Sequence, residues 1–302
     1  MGRTFVIGDV HGMWDELVVL LGTLGLTKED TLVSVGDLVD KGPDSVKVVQ
    51  SLRGLRQQGY KVVLVGGNHE AKHVIFRPLH AKGKGSGMKG HAELVAITEA
   101  LSSEDVAFLE SAVLFHRLPE FDALVVHAGV PGTITELPEV APGLDSKSMG
   151  RLAQLLRVRH TTAKPVSKLV VEIEAPVEYT DDMTVAEFAA AGTAVIKNQV
   201  VKPVGSFLKL GDEGPEDPFW AEVYGVGEDK PRFGHVYFGH SPFVGDKPAH
   251  FPHATGLDTG AVFGGSLTAA VLVPGKPVEF VSVQAEARDG WEFAKPLDAY
   301  TE

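Results

Sequence analysis

Residues 3–12, RTFVIGDVHG, decide the reading of this chain. A short β-branched run at 3–7 stops at Gly8 and delivers Asp9 and His11 into a tight turn. The same local grammar returns four times. VSVGDLVDKG (33–42) presents Asp37 and Asp40, and VVLVGGNHE (62–70) presents Asn68, His69 and Glu70. LVVHAG (124–129) presents His127, and VYFGHSP (236–242) presents His240. A single histidine after a strand is ordinarily a buried, hydrogen-bonded side chain. Five apolar runs, each followed by a small-residue turn and an oxygen or nitrogen donor, point instead to one site. In open α/β sheets ligands bind beyond the carboxyl ends of the strands, where such turns converge.

The segments between these strands read as helices. Trp14, Leu17, Val18, Leu21 and Leu24 fall on one helical stripe, and Pro43-Asp44 opens a second helix carrying Val46, Val49 and Leu52. KVVLV (61–65) has the continuous apolar pattern of a strand buried on both faces. This βαβαβ order predicts an α/β fold. Helical patterns resume at 93–101 and at 104–112, behind Ser102 and Ser103 as cap. Residues 131–235 read as an elaboration inserted in the main domain. They hold a helix pattern at 148–159, a strand at 168–174 and an Ala-rich helix near 184–191. Strand patterns return in HVYFGH, GAVFGGSLTAAVLV and PVEFVSVQ. The KGKGSGMKG run (82–90) reads as a flexible loop or as a basic lid over an anionic substrate, without the spacing of a P-loop.

Composition narrows the chemistry. The 302 residues are 44% hydrophobic and 23% charged, which suits a globular protein with a sizeable core. A net charge of −12 opposes non-specific binding to nucleic acid, so a phosphate-bearing ligand needs a local positive centre. There is no cysteine, which excludes disulfides, thiolate metal sites and thiol catalysis. The opening residues read as neither signal peptide nor membrane span, and the expected location is the cytoplasm. Carboxylate, imidazole and amide oxygen are the donors of hard and borderline divalent ions. Two such ions sharing a carboxylate supply the missing charge and make a nucleophile of water at neutral pH.

GDVHG, GDLVDKGPDS, GNHE, HAGV and GHSP, in this order, resemble the calcineurin-like metallophosphoesterases. Within them the chain looks most similar to the phosphoprotein-phosphatase branch, which includes the bacterial symmetrical bis(5′-nucleosyl)-tetraphosphatases. The resemblance implies a four-layer α/β fold, two mixed sheets forming a sandwich flanked by helices. It implies a domain over about 1–290, with a cap-like insertion at about 131–235. It also implies two divalent metal ions, manganese first, with iron, zinc, cobalt or nickel as alternatives. Asp9 and His11 would bind the first metal, Asp37 would bridge, and Asn68, His127 and His240 would bind the second. His69 would be the general acid, oriented by Asp40. Lys41, Asn68 and an arginine of the RVR segment, Arg157 or Arg159, would hold phosphate. Glu70 would brace the ligands from behind.

Two departures stand out. The family carries arginine where Lys41 stands, and lysine is a point charge rather than a bidentate fork. GHSP also lacks the second histidine of the wider superfamily's GHxH.

GLDTGAVFGGSLTAAVL (256–272) and LRVRH resemble segments of the symmetrical tetraphosphatases, which implies hydrolysis of dinucleoside tetraphosphates to two nucleoside diphosphates. A protein serine/threonine phosphatase is the main alternative.

HEAKH (69–73) satisfies the HExxH pattern of zinc proteases, which needs both histidines on one helix face with the glutamate as base. A non-catalytic binding module on the same fold is the other rival. Phe219, Trp220 and Tyr224 could stack a purine or simply fill a core. His235 could support His240 from behind, and His73 carries no strand-end grammar and reads as structural or solvated.

Overall fold

The computed structural model describes residues 2–173, 194–227 and 230–286. Strands β1 (Thr4–Ile7), β2 (Thr31–Ser34) and β3 (Lys61–Leu64) lie parallel and adjacent. Helices α1 (Trp14–Leu24) and α2 (Ser45–Gln57) connect them. Antiparallel β11 (Ser266–Leu272) and β12 (Glu279–Gln284) extend this sheet to the order β12-β11-β1-β2-β3. The second sheet runs β4 (Phe115–Leu118), β5 (Ala123–Val126), β8 (His235–Phe238), β10 (Ala254–Gly256), β9 (Ala249–Phe251). Its three central strands are parallel and its two edges antiparallel. Both sheets are therefore mixed.

Strand alternation builds the layers. Val6 and Val33 of the first sheet, with Val65 just past β3, pack with Val125 and Tyr237 of the second and with Leu257 just past β10, forming the interior of a sandwich. Their neighbours Phe5, Ile7, Leu32 and Leu64 belong to a separate core with Leu17, Leu20, Val48 and Val49 of the helices. A period of two thus feeds two cores, one between the sheets and one beneath the helices.

Some local expectations shift. On α1 the buried residues are Glu16, Leu17, Leu20 and Leu24, while Val18 is 46% exposed. β3 is an edge strand with Val63 half-buried, so its apolar run does not mark burial on both faces. GAVFGG forms a 3₁₀ turn at Ala261–Phe263 between two glycines at positive φ, and β11 starts only at Ser266. The pattern at 148–159 is not one helix. A four-residue helix, Ser146–Met149, is broken at Gly150 (φ 48°) and followed by a 3₁₀ segment, Gly150–Leu156. Both Arg157 and Arg159 lie beyond it.

Between β5 and β8 the chain also forms a separate two-stranded sheet, β6 (Val166–Ile173) with β7 (Ala194–Lys202). The Ala-rich pattern at 184–191 lies outside the described residues. Leu155, Leu156, Val158, Phe219, Trp220 and Tyr224 from this stretch join the main core. Phe219 and Trp220 pack on Phe238, with ring centroids 6.0 and 4.9 Å away, so these aromatics serve the core rather than a purine. The 82–90 run joins α3 (Asn68–His80) to α4 (His91–Ala100) through turns.

Candidate metal centre

The parallel strands of both sheets end toward one place, and the turns that follow them deliver the six candidate ligands there. Asp37 lies at the centre. His11 Nε2 is 3.4 Å from Asp37 Oδ2, and His127 Nε2 is 3.4 Å from Asp37 Oδ1. Ligand atoms of Asp37, His127 and His240 all lie within 4.8 Å of one another, as do those of His11, Asp37 and His69. Asp37 is the residue common to both groups. Asp9 is 4.0 Å from His11 and accepts the His240 backbone N–H at 3.0 Å. Asn68 Oδ1 is 3.1 Å from His127 Nε2.

The backbone is bent to achieve this. His11, Asp37, Asp40, Lys41 and His240 have φ between 45° and 68°, a left-handed conformation that L side chains avoid. Asp122 is the one other non-glycine residue at positive φ among the described residues. Such strain collects where function needs a particular geometry. Two glycines clear the space: a Cβ at Gly67 would strike the Asp37 carboxylate, and one at Gly239 that of Asp9. Behind the site, Glu70 accepts backbone N–H bonds from Asp37, Leu38 and Gly67 at 2.7–2.8 Å, with Val39 at 3.3 Å.

The donor set fits cations. His11 Nδ1 donates to Val39 O and His127 Nδ1 to Val35 O, each at 2.9 Å, which turns both Nε2 atoms toward Asp37. His127 Nε2, Asn68 Oδ1 and Asp37 Oδ1 converge on one another, an arrangement a cation satisfies. Burial pushes His11 down to about 3 and holds His240 well below its usual range, so both imidazoles are neutral at pH 7. Against its own burial, Asp37 is held well below the usual carboxylate range by His127 and His69. Asp9 is pushed well up by burial and by repulsion from Asp258 and Asp37. Positive charge placed among these carboxylates relieves that repulsion.

His69 stands beside this centre. Its Nδ1 lies 2.7 Å from Asp40 Oδ2, and its Nε2 lies 3.8 Å from Asp37 Oδ2. Burial lowers its pKa, but Asp37 and the Asp40 bond outweigh that and raise it. Lys41 Nζ is 2.7 Å from His11 Nε2. Arg159 Nη2 donates to His240 O at 3.2 Å, and Arg157 and Arg159 both line a cavity of about 270 Å³ that His240 also borders. Lys209, His160, Phe207, Leu208 and Leu210 complete much of its wall.

Three residues escaped the sequence reading. Asp258 is buried beside Asp9, and ATGLDTG shows the strand-turn-acid pattern that would have found it. His73, 2% exposed, bonds to Asp40 Oδ1 at 2.6 Å and is not solvated. Glu93 accepts the Lys41 backbone N–H at 2.6 Å. His235 bonds to Thr255 Oγ1 at 2.9 Å, in the sheet rather than at the site. The protease pattern loses its base, because fully buried Glu70 spends both oxygens on backbone amides.

Two mixed sheets whose strand ends gather aspartates, histidines and an asparagine around one shared carboxylate make a site suited to divalent cations. The chain belongs to the calcineurin-like phosphoesterase family, whose model matches residues 2–241. It is accordingly a hydrolase of phosphate esters or anhydrides, and members of this family use a dinuclear divalent metal site. A symmetrical bis(5′-nucleosyl)-tetraphosphatase of Chromohalobacter salexigens is 28% identical over 283 residues, 90% of this chain and 96% of that protein. Its counterpart in Neisseria meningitidis is 27% identical over 297 residues, 95% and 98% of the two chains.

Among solved structures, one described as a diadenosine tetraphosphatase superposes with a TM-score of 0.56 at 24% identity, over 96% of this chain and 95% of that one. A protein serine/threonine phosphatase from Saccharomyces cerevisiae gives 0.51 at 14% identity, over 96% and 82%. Both likenesses are of fold. No helix among the described residues is long and apolar enough to cross a membrane.

Proposed function

We propose that this phosphoesterase hydrolyses bis(5′-nucleosyl) tetraphosphates symmetrically, diadenosine tetraphosphate to two ADP, as a cytoplasmic enzyme using manganese. The observation that carries the reading is the cavity against His240, where Arg157, Arg159 and Lys209 stand together in an acidic protein. A phosphoserine needs charge at one phosphate. A polyphosphate needs it along a path leading away from the reacting centre. The near full-length relatives named symmetrical tetraphosphatases support the same substrate class.

In this reading Asp9, His11, Asp37, Asn68, His127 and His240 would hold two divalent ions. When bound, the ions supply charge neutralisation and a water acidic enough to attack phosphorus at neutral pH. Lys41, Asn68, Arg157 and Arg159 bind and orient the phosphates. Water oxygen bonds to one inner phosphorus as the bond from that phosphorus to the central bridging oxygen breaks, and His69 gives the proton on Nε2 to that oxygen on the departing ADP. Asp40 accepts the Nδ1–H throughout, which fixes the ring and stabilises its charged form.

The test is product analysis. The manganese-loaded protein is given diadenosine tetraphosphate and, in parallel, a phosphoserine peptide. ADP as the sole nucleotide product, with kcat/KM at least about 100-fold above the peptide, supports the reading. AMP with ATP, or a preference for the peptide, overturns it.

A further inference from the structure

The acid imidazole is not the only one that Asp40 holds. His73 lies four residues after His69 on α3, on the same helix face, and both rings turn toward one carboxylate. His69 Nδ1 is 2.7 Å from Oδ2, and His73 Nε2 is 2.6 Å from Oδ1. Lys72 Nζ adds a longer bond to Oδ2 at 3.3 Å. Asp40 itself is 0% exposed and sits at φ 68°. The other nitrogen of His73, Nδ1, is buried with no hydrogen-bond partner. Leaving a buried ring nitrogen unsatisfied is costly, and the bond that its other end makes to Asp40 offsets that cost.

We propose that His73 is a positioning residue for the proton-donating step: its Nε2–H fixes Asp40 Oδ1, so that Oδ2 alone faces His69 and holds that ring toward the reacting centre. A carboxylate bonded at one oxygen can turn about its Cβ–Cγ bond; one bonded at both cannot. His73, 2% exposed, reaches the centre through its bond to Asp40. The HEAKH histidine pair is thereby explained without a protease, since its two rings grip the two oxygens of one aspartate. This inference rests on His69 being the acid proposed above.

The test separates positioning from mere support of the fold. Proton donation matters for a basic leaving group and little for one that departs readily as the anion. The holoenzyme and its His73→Ala, His73→Gln and His69→Ala variants are assayed on phenyl phosphate and on 2,4-dinitrophenyl phosphate with manganese. The low-field NMR signal of the proton on His69 Nδ1 is followed in the zinc-loaded parent and the two His73 variants. The ratio of kcat/KM for the phenyl over the dinitrophenyl ester falls at least about tenfold in His73→Ala. The low-field proton shifts or exchanges away. Gln places an amide donor near the position of Nε2, so His73→Gln keeps the ratio within about threefold and retains the proton signal.

Equal losses on both esters with an unmoved proton signal overturn the inference, as does a fall in bound manganese in His73→Ala. His69→Ala distinguishes the two readings. If it leaves the ratio unchanged, the assignment of the acid fails. If it lowers the ratio while His73→Ala does not, only the role of His73 fails.

Discussion

The Glu70 carboxylate holds the backbone of Asp37, its Oε2 accepting the Asp37 N–H at 2.8 Å while Oε1 takes that of Leu38 at 2.7 Å. The turn carrying the shared ligand is thus anchored to the start of α3, the helix that carries Asn68 and His69. Burial and the nearby Asp37 charge raise the pKa of Glu70, so the anchor costs desolvation energy that its backbone bonds must offset. Glu70→Gln puts an NH₂ against donor amides. It should lose about 2–3 kcal/mol of stability, read as a lower midpoint in urea. An unchanged midpoint would show that the turn holds itself.

Asp37 faces His11 with one oxygen and His127 with the other. Asp37→Asn halves the donor capacity and removes the charge, and should release both ions. Elemental analysis after gel filtration checks this, with less than one manganese per chain expected and activity lost. Retention of one tightly held ion would mean that the two positions do not depend on a common carboxylate.

The cavity wall supplies a test of substrate reach that leaves the centre alone. Lys209→Ala removes one cation from the proposed polyphosphate path, worth about 1 kcal/mol. The KM for diadenosine tetraphosphate should rise about fivefold with kcat little changed. A fall in kcat at constant KM would remove Lys209 from the binding path.

His235 gives a pH signature remote from the centre. Burial, with repulsion from His253 and His250, lowers its pKa to about 4 in the folded chain, against about 6.5 unfolded. The unfolded chain therefore binds the extra proton first, and stability falls as pH drops through that window. Between pH 7 and pH 5 the parent should lose about 2 kcal/mol more than His235→Gln does. Parallel stability curves for the two would contradict the assignment.

How much of this was legible in the sequence follows from where the information lies. Asp9, Asp37, Asn68, His127 and His240 each sit in a strand-and-turn piece a few residues long, so the apolar run, the glycine and the donor can be read together. The helix stripe of α1 was misplaced because Val18 and Leu20 are equally apolar. Which one turns inward depends on the sheet beneath. Arg157 and Arg159 could not be oriented, because Gly150 ends a helix that Leu152, Leu155 and Leu156 alone would continue. His73 carries no local mark at all. Its role exists only because the φ of Asp40 turns a carboxylate from another segment against α3, a contact 33 residues apart in the chain.

The central claim is that two cations share Asp37. Crystals grown with manganese and measured at its absorption edge test it directly, through the anomalous difference map. Two peaks about 3.5–4 Å apart are expected, one against Asp9 and His11, the other against Asn68, His127 and His240, with Asp37 touching both. A single peak, or a peak on His69 and His73, would contradict it.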